Sequence, residues 1–523
     1  MNAPLLSLIV FLPLAGAALV IFIPRGNDRL LRASSLAAAL VVFALSVFLY
    51  FAFDAGTPGP QFVEQRAWLG YGIRYHLGVD GLSLALVMLT AFLVPVAILA
   101  SWGSVRERAK EFAFFLLVLE TGMLGVFVSL NLFLFYVFWE TVLIPMYFLI
   151  GIWGGPRRVY ATVKFVLFTM AGSLLMLAAI FVLYGLYYEA TGAYSLTLAD
   201  YAGLVLSPGI QTWLFLAFAL AFAVKVPLFP LHTWLPDAHV EAPTPASVLL
   251  AAVLLKMGAY GFVRFAVPLF PDAAARFTPA LSILAVIGIV YGGFMALVQK
   301  DMKSLVAYSS VSHMGLIMLA VFALNPTALE GGLLQMVNHG LSTGALFLCV
   351  GVLYDRTHTR LISDYGGVAK VMPVFAAVLL ISSLSSAGLP GLNGFAGEIL
   401  CFFGAFAARP TLAAIAVSTV ILSAAYLLNM YQKVMHGPVP GEKVAGLRDL
   451  SPREGLIFVP LILLMFWLGL APGAWLRKMD ASVDEYFGLL KAKAKAAEML
   501  RDKLRDKHFK AVAVDLDEYK ERP

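Results

Sequence analysis

Residues 221–236 read AFAVKVPLFPLHTWLP, and residues 382–399 read SSLSSAGLPGLNGFAGEI. Each sits in a long apolar stretch that a regular helix cannot cross unbroken. Pro227, Pro230 and Pro236 each remove a backbone donor and press a ring against the preceding turn. Pro390 stands among Gly388, Gly391 and Gly394, after a run of small and hydroxyl residues. Lys225 precedes the first interruption by two residues, and Glu398 follows the second by eight. Non-helical backbone and charge at such depth are tolerated only where protein or a cavity replaces lipid. The two stretches therefore predict helices broken around a polar interior.

Composition agrees. Of 523 residues, 61% are hydrophobic and 13% charged, whereas soluble domains average about 45–50% apolar and about 25% charged. A soluble enzyme, a disordered chain and a collagen-like fibre are excluded, leaving a polytopic membrane protein. Cys349 and Cys401 both lie in apolar segments and read as buried thiols. No CxxC, CxxCH or Cys/His spacing for zinc, iron–sulfur or c-type haem occurs, and neither does a glycine-rich nucleotide loop. The net charge of +6 is spread over loops and tail, not gathered into a nucleic-acid-binding stripe. Residues 5–23 lack a basic leader and read as a retained span.

A window of about 20 apolar residues crosses a bilayer. On that criterion the sequence holds fourteen spans, at 3–24, 30–53, 78–102, 111–129, 132–154, 159–188, 211–230, 244–267, 279–298, 304–324, 328–354, 373–407, 411–432 and 455–474. All are expected to be helices, because lipid offers no partner for a free N–H or C=O. Loops after odd-numbered spans hold seventeen Lys and Arg, Arg25 and Lys303 among them; loops after even-numbered spans hold five, with Arg264 counted there. The positive-inside rule places the odd loops in the cytoplasm or its equivalent, and both termini on the outer, periplasmic side. Three basic residues remain inside spans: Lys164, Lys225 and Lys256.

The broken spans, 7 and 12, are five apart. Spans 4–8 and 9–13 are then equivalent five-helix units, and the odd number forces the two copies to be inverted. The expected organisation is spans 1–3 over residues 1–110, a first repeat over 111–267, an inverted second repeat over 279–433, span 14 over 455–474, and a charged extramembrane tail over 475–523. The tail is helical by propensity and lacks a second apolar run, so it reads as a surface helix or docking element.

Ionisable residues near mid-bilayer are the candidates for chemistry. Glu140 is the only ionisable group of span 5. Lys225 has two natural partners, carbonyls freed by Pro227 and a carboxylate from another span. Lys256 is central in span 8, too deep to snorkel. Glu398 has no cation near it in sequence. His313 and His339 sit among serines, threonine and asparagine, which favours a hydrated relay over a structural role or haem ligation. Lys164, six residues after Arg158, either snorkels or functions, and Glu120 in span 4 is equally open. Asp80 either functions or caps span 3. His232, Asp237, His239 and Glu241, in the loop after span 7, either form a polar entrance from the cytoplasm or make caps and turns.

The stretch 225–261, KVPLFPLHTWLPDAHVEAPTPASVLLAAVLLKMGAYG, resembles the signature of the antiporter-like subunits of respiratory NADH:quinone oxidoreductase (complex I) and of Mrp-type antiporters. The resemblance covers spans 4 to 13. Within the family the chain looks like the chain M, or subunit 4, type. FYVFWETVLIPMYFLIGIWGG matches its fifth span, and Glu398 stands where the L and N types and the Mrp D type carry lysine. Nothing after span 14 resembles the lateral helix of the L type. The resemblance implies that Glu140 pairs with Lys225, Lys256 is the central proton carrier, His313 and His339 are relays, and Glu398 is the exit-side carboxylate. It implies a subunit of a translocase with no redox site or cofactor of its own. NADH, FMN, iron–sulfur clusters and quinone would belong to partner subunits. The L-type and N-type subunits would be neighbours in a bacterial inner membrane or its equivalent, amid lipid. The rival readings are an Mrp-type Na+/H+ antiporter module, a membrane-bound hydrogenase subunit, and a membrane protein that binds haem or quinone itself.

Overall fold

The computed structural model describes residues 4–24, 26–503 and 510–519. Arg25 and parts of the predicted tail, 504–509 and 520–523, lie outside the described residues. Thirteen helices among the described residues are long and apolar enough to cross a membrane. Span 12 is the fourteenth, present as two shorter helices, Pro373–Ser386 and Asn393–Ala408. Spans 8 (Thr244–Leu269) and 11 (Pro326–Thr357) are buried along their lengths by the rest of the chain, and span 10 (Met302–Val321) nearly so. Spans 2, 6, 9, 13 and 14 leave most of their apolar surface outward, as lipid-facing helices must.

Span 7 stops at Lys225 and resumes as a helix over Trp234–Glu241. Pro227 and Pro230 enforce the gap, and the freed carbonyl of Val224 accepts from Trp234 Nε1 at 2.9 Å. Residues 234–241 were expected to be loop. They are a buried half-helix, with Pro236 tolerated because it falls in the first turn. Span 12 breaks differently. Gly388 and Gly391 take left-handed φ values of +75° and +93°, which glycine adopts without a Cβ penalty. Span 5 has a lesser interruption at Val142, between Leu132–Thr141 and Leu143–Trp153. Pro145 explains it, since its ring faces the carbonyl of Thr141 four residues earlier.

Spans 9 (Pro271–Leu297) and 10 pack along each other. Gly292 and Gly315 let the backbones close: a Cβ on Gly292 would sit 2.7 Å from Ser312 N, and one on Gly315 2.7 Å from Ala285 O. Arg264, expected in a loop, is instead buried within span 8, and Lys303 is buried in the first turn of span 10. Their transfer leaves the asymmetry of basic residues between the two faces intact.

One face carries a hairpin that the sequence reading left as loop: β1 (Gln61–Gly70) and β2 (Ile73–Val79), antiparallel and turning through Tyr71-Gly72. On the same face a short strand, β3 (Leu204–Leu206), pairs with β4 (Ala511–Ala513). The tail forms a helix over Gly473–Lys503. Trp475, Met479, Val483, Tyr486, Lys493 and Ala497 are buried along it. That three-and-four spacing is one helical stripe, and the tail lies down on its own chain.

Candidate functional site

Span 8 departs from regular α-helix at two places, with π turns over Leu250–Leu254 and Phe262–Ala266. Such turns recur at functional sites because they re-aim side chains and loosen the carbonyl ladder. Between them Lys256 is completely buried. Its Nζ donates to the Ala251 carbonyl at 2.5 Å and to His339 Nδ1 at 2.6 Å. His339 lies on span 11, and its other ring nitrogen is buried without a partner. The His339 and His313 rings are 5.6 Å apart between centroids, tilted by 51°. His313 Nδ1 lies 3.4 Å from Glu398 Oε1, and its Nε2 lies 3.4 Å from the Tyr426 hydroxyl. Four residues predicted from four different spans thus form one buried file: Lys256, His339, His313, Glu398.

The broken span 12 makes the far end of this file. Glu398 Oε1 accepts from Gln335 Nε2 at 3.4 Å. Its other oxygen lies against Gly388, where a Cβ would collide with it. Asn338 Nδ2 donates to the Asn393 carbonyl at 2.7 Å, Asn393 Nδ2 donates back to the Asn338 carbonyl at 3.2 Å, and Ser385 Oγ donates to Asn393 Oδ1 at 2.5 Å. The serines and glycines of the quoted stretch are therefore the frame that fixes the break, and the carboxylate leans on it.

The other break holds Lys225 apart. Its Nζ lies 5.1 Å from the Trp139 ring and 5.9 Å from the Phe165 ring, a cation–π enclosure. Among the described residues no ion pair joins it to Glu140, and Glu140 Oε1 is buried without a partner. The direct contact implied by resemblance is open in this conformation, with Trp139, next to Glu140 in sequence, beside the ammonium.

The remaining candidates divide. Lys164 Nζ pairs with Asp237 Oδ2 at 2.7 Å, partly exposed. Glu241 accepts from the Arg157 backbone N–H at 2.9 Å. His232 lies against the Phe229 and Tyr291 rings. His239 is fully buried, stacked 4.6 Å from the Phe347 ring, with both nitrogens unpartnered. It stands within electrostatic reach of both Lys303 and Lys256. A cavity of about 120 Å³ is lined by Glu241, at the end of the same half-helix, with Lys303, Tyr354 and Arg360. Glu120 is buried with neither oxygen bonded and touches no member of the file. Asp80 serves the start of span 3 as well as a partner elsewhere. Its Oδ1 accepts from the Leu82 N–H at 3.1 Å and its carbonyl from the Leu84 N–H at 2.9 Å, capping the turn that leads into Leu84, while its carboxylate pairs with Arg264. Sequence reasoning missed Arg264, Lys303, Gln335 and Tyr426. The first two were legible as basic residues falling inside, or at the first turn of, apolar helices.

Residues 129–423 match the family described as NADH:quinone oxidoreductase/Mrp antiporter, TM, and residues 8–126 match NADH-ubiquinone oxidoreductase chain 4, amino terminus. The chain is 48% identical over 480 residues to NADH-quinone oxidoreductase subunit M of Rhodobacter capsulatus, covering 90% of this chain and 93% of that one. It is 43% identical over 481 residues to NADH-ubiquinone oxidoreductase chain 4 of Arabidopsis thaliana, covering 92% and 96%. Among solved structures, a chain of respiratory complex I from Thermus thermophilus with bound NADH superposes with a TM-score of 0.85 at 37% identity, covering 93% and 99%. A chain of the Mrp complex from Dietzia sp. superposes with a TM-score of 0.82 at 21% identity, covering 93% and 98%, a likeness of fold alone.

Proposed function

The chain belongs to the chain 4, or subunit M, family of NADH:quinone oxidoreductase, and on that premise we propose that it translocates protons in the membrane arm of that enzyme through Lys256, His339, His313 and Glu398. The observation that carries the assignment of residues is the buried row of side chains from the Lys256 ammonium to the Glu398 carboxylate, hydrogen-bonded at its first step, with adjacent imidazole rings at its second and a 3.4 Å approach at its third. A proton can be handed from ammonium to imidazole at 2.6 Å. One water between the two imidazoles would satisfy the unpartnered His339 nitrogen and bridge the 5.6 Å step.

In this reading the basic-loop face lies in the cytoplasm and the hairpin face, with both termini, outside. Protons are taken up from the basic face through the small cavity at Glu241 and Lys303, past His239, to Lys256. The trigger is a change in the separation of Glu140 and Lys225. Closing that pair withdraws a carboxylate's field from its surroundings and opening it restores the field, which alters the proton affinity of Lys256. Moving one charge against 100 mV costs about 2.3 kcal/mol. A hundredfold change in proton affinity supplies about 2.7 kcal/mol, so the scale suffices. Glu398, at the second break, receives the proton last. The two broken spans are read as the equivalent helices of two inverted five-helix repeats, with L-type and N-type subunits as neighbours. Oxidation of NADH and reduction of quinone, with their flavin and iron–sulfur carriers, take place in other subunits. Relatives named as quinone oxidoreductase subunits at 48% and 43% identity support this over an Mrp-type antiporter, whose likeness is at 21%.

The test is Lys256→Arg in the assembled complex. Arginine keeps the charge and fits the helix, but it does not release its proton at any relevant pH. Proton uptake into proteoliposomes per NADH oxidised should fall close to that of Lys256→Ala. Pumping at the parental level would eliminate a protonation cycle at this residue.

A further inference from the structure

Lys256, Tyr260 and Arg264 recur every four residues along span 8. That spacing stacks them on one face, with a rise of about 6 Å per step. Going from Lys256 toward the hairpin, Tyr260 and then Arg264 are the next polar side chains on that face. Arg264 grips Asp80 with both ends of its fork, Nη1 to Oδ2 at 2.6 Å and Nη2 to Oδ1 at 2.5 Å. Its Nε donates to the Tyr260 hydroxyl at 2.9 Å, and that hydroxyl donates to the Phe127 carbonyl at 3.0 Å. Asp80 is 5% exposed and Arg264 8%. Beyond the clamp a cavity of about 370 Å³ opens on the hairpin face, lined by His76, Asp80, Arg264, Tyr201, Glu485 and Lys493. The tail helix closes over it, with Ser482 Oγ accepting from Gly81 N at 3.0 Å.

We propose that the Asp80–Arg264–Tyr260 clamp is a proton barrier that separates Lys256 from the cavity on the hairpin face and so directs its proton sideways to His339. The proposal rests on the reading of Lys256 as a proton carrier. Three features make the clamp a barrier and not a relay. Arginine cannot release a proton at any relevant pH. Both carboxylate oxygens of Asp80 are occupied by the fork, and the Tyr260 hydroxyl has its proton and an acceptor site committed. A fixed guanidinium also repels a hydronium or a second ammonium, the device by which a pore arginine excludes protons. Without the clamp, Lys256 would be connected to the outside directly as well as through the file, and a carrier open to both faces leaks.

The experiment uses the whole complex in vesicles loaded with a pH-sensitive dye. A pH gradient is imposed without NADH and its decay is followed. Asp80→Asn with Arg264→Gln removes both charges together, so neither is stranded. The expected result is decay several-fold faster than the parent, with NADH oxidation retained and fewer protons taken up per NADH. Adding Lys256→Ala to that pair should restore parental tightness. A merely structural clamp would change assembly or turnover but not produce a leak that depends on Lys256. Parental tightness in the assembled double variant overturns the proposal, as does a leak that survives Lys256→Ala. Should the double variant fail to assemble, Arg264→Lys carries the test. Lysine keeps a cation beside Asp80 that can give up its proton, so decay again exceeds the parent's, and parental tightness contradicts the barrier. Failure here leaves the pumping result for Lys256→Arg untouched, so the barrier and the proton file fall separately.

Discussion

The two broken helices solve the same problem in opposite ways. At span 7 prolines make the gap, and the charge beside it, Lys225, is enclosed by aromatic rings with no carboxylate in contact. At span 12 glycines make the gap, and the charge beyond it, Glu398, touches an amide, an imidazole and the glycine turn itself. Lys225 is bonded to no carboxylate and feels Glu140 only through its field, whereas Glu398 is in contact with its neighbours. An isolated buried charge influences its surroundings through its field, whereas a connected one can exchange protons. The comparison therefore separates a trigger from a terminus, although both sit at a break and both were found by the same sequence signal.

The largest effect is expected at the isolated charge. Lys225→Ala and Glu140→Ala should each lower proton uptake per NADH by roughly tenfold or more, a change of about 1.4 kcal/mol or greater in the coupled step. Assembly, followed by co-purification of the complex, should survive because the two side chains are not bonded to each other. Near-normal pumping in either variant would end the division between trigger and terminus.

Gly388→Ala is expected to act at the connected break with a smaller effect. A left-handed φ costs an L-residue about 1–2 kcal/mol, and the new Cβ would displace the Glu398 carboxylate. Pumping should fall several-fold while NADH oxidation by the detached electron-transfer arm is unchanged. Pumping at the parental level would show that the position of the carboxylate against the turn is immaterial.

Why these breaks were legible and other features were not follows from what each depends on. Pro227, Pro230 and Pro390 act on their own backbone, so the interruptions can be read locally. Buried Lys and Glu in apolar runs are conspicuous because lipid penalises them. The His339–His313–Glu398 contacts need three helices brought together, and only resemblance pointed to them. The hairpin lies almost wholly between the spans ending at 53 and starting at 78, where the apolar-window criterion is blind; Gly70-Tyr71-Gly72 between two extended runs is its turn signal. Arg264 escaped because it lies near the end of span 8 and was counted with the loop. Its partner Asp80 is 184 residues away in sequence, beyond any local pattern. The half-helix Trp234–Glu241 is hidden by Pro236 and its polar residues, which read as turn until packing buries them.

Lys493, in the tail helix outside the membrane spans, provides the smallest effect and a useful control. It is a buried lysine too, but its ammonium is bonded to three carbonyls, of Tyr201, Pro268 and Leu269. Burial pushes it down to about 7, with Asp272 pulling it back up. An undocked tail would have its lysine near 10.4. Between these values the undocked tail binds more protons, so docking should tighten as pH rises from about 7 to about 10.5. Below about 7 both forms are protonated and docking should change no further. Hydrogen exchange of the tail helix across this range should show the trend, and Lys493→Met should flatten it without altering protons taken up per NADH. A loss of pumping in that variant would mean that burial alone, rather than membership of the file, marks a functional lysine.

The most direct measurement of the central claim is proton uptake per NADH in proteoliposomes for Glu398→Gln and Glu398→Lys. Glutamine keeps the shape, the close approach to Gly388 and an acceptor for Gln335, but it cannot ionise. Lysine ionises with the opposite sign, and burial favours its uncharged form, so it can still exchange a proton with His313. The proton-file account predicts the order parent, then Lys, then Gln, with Gln strongly impaired and the complex fully assembled. An unimpaired Gln variant would contradict it and remove Glu398 from the path of the proton.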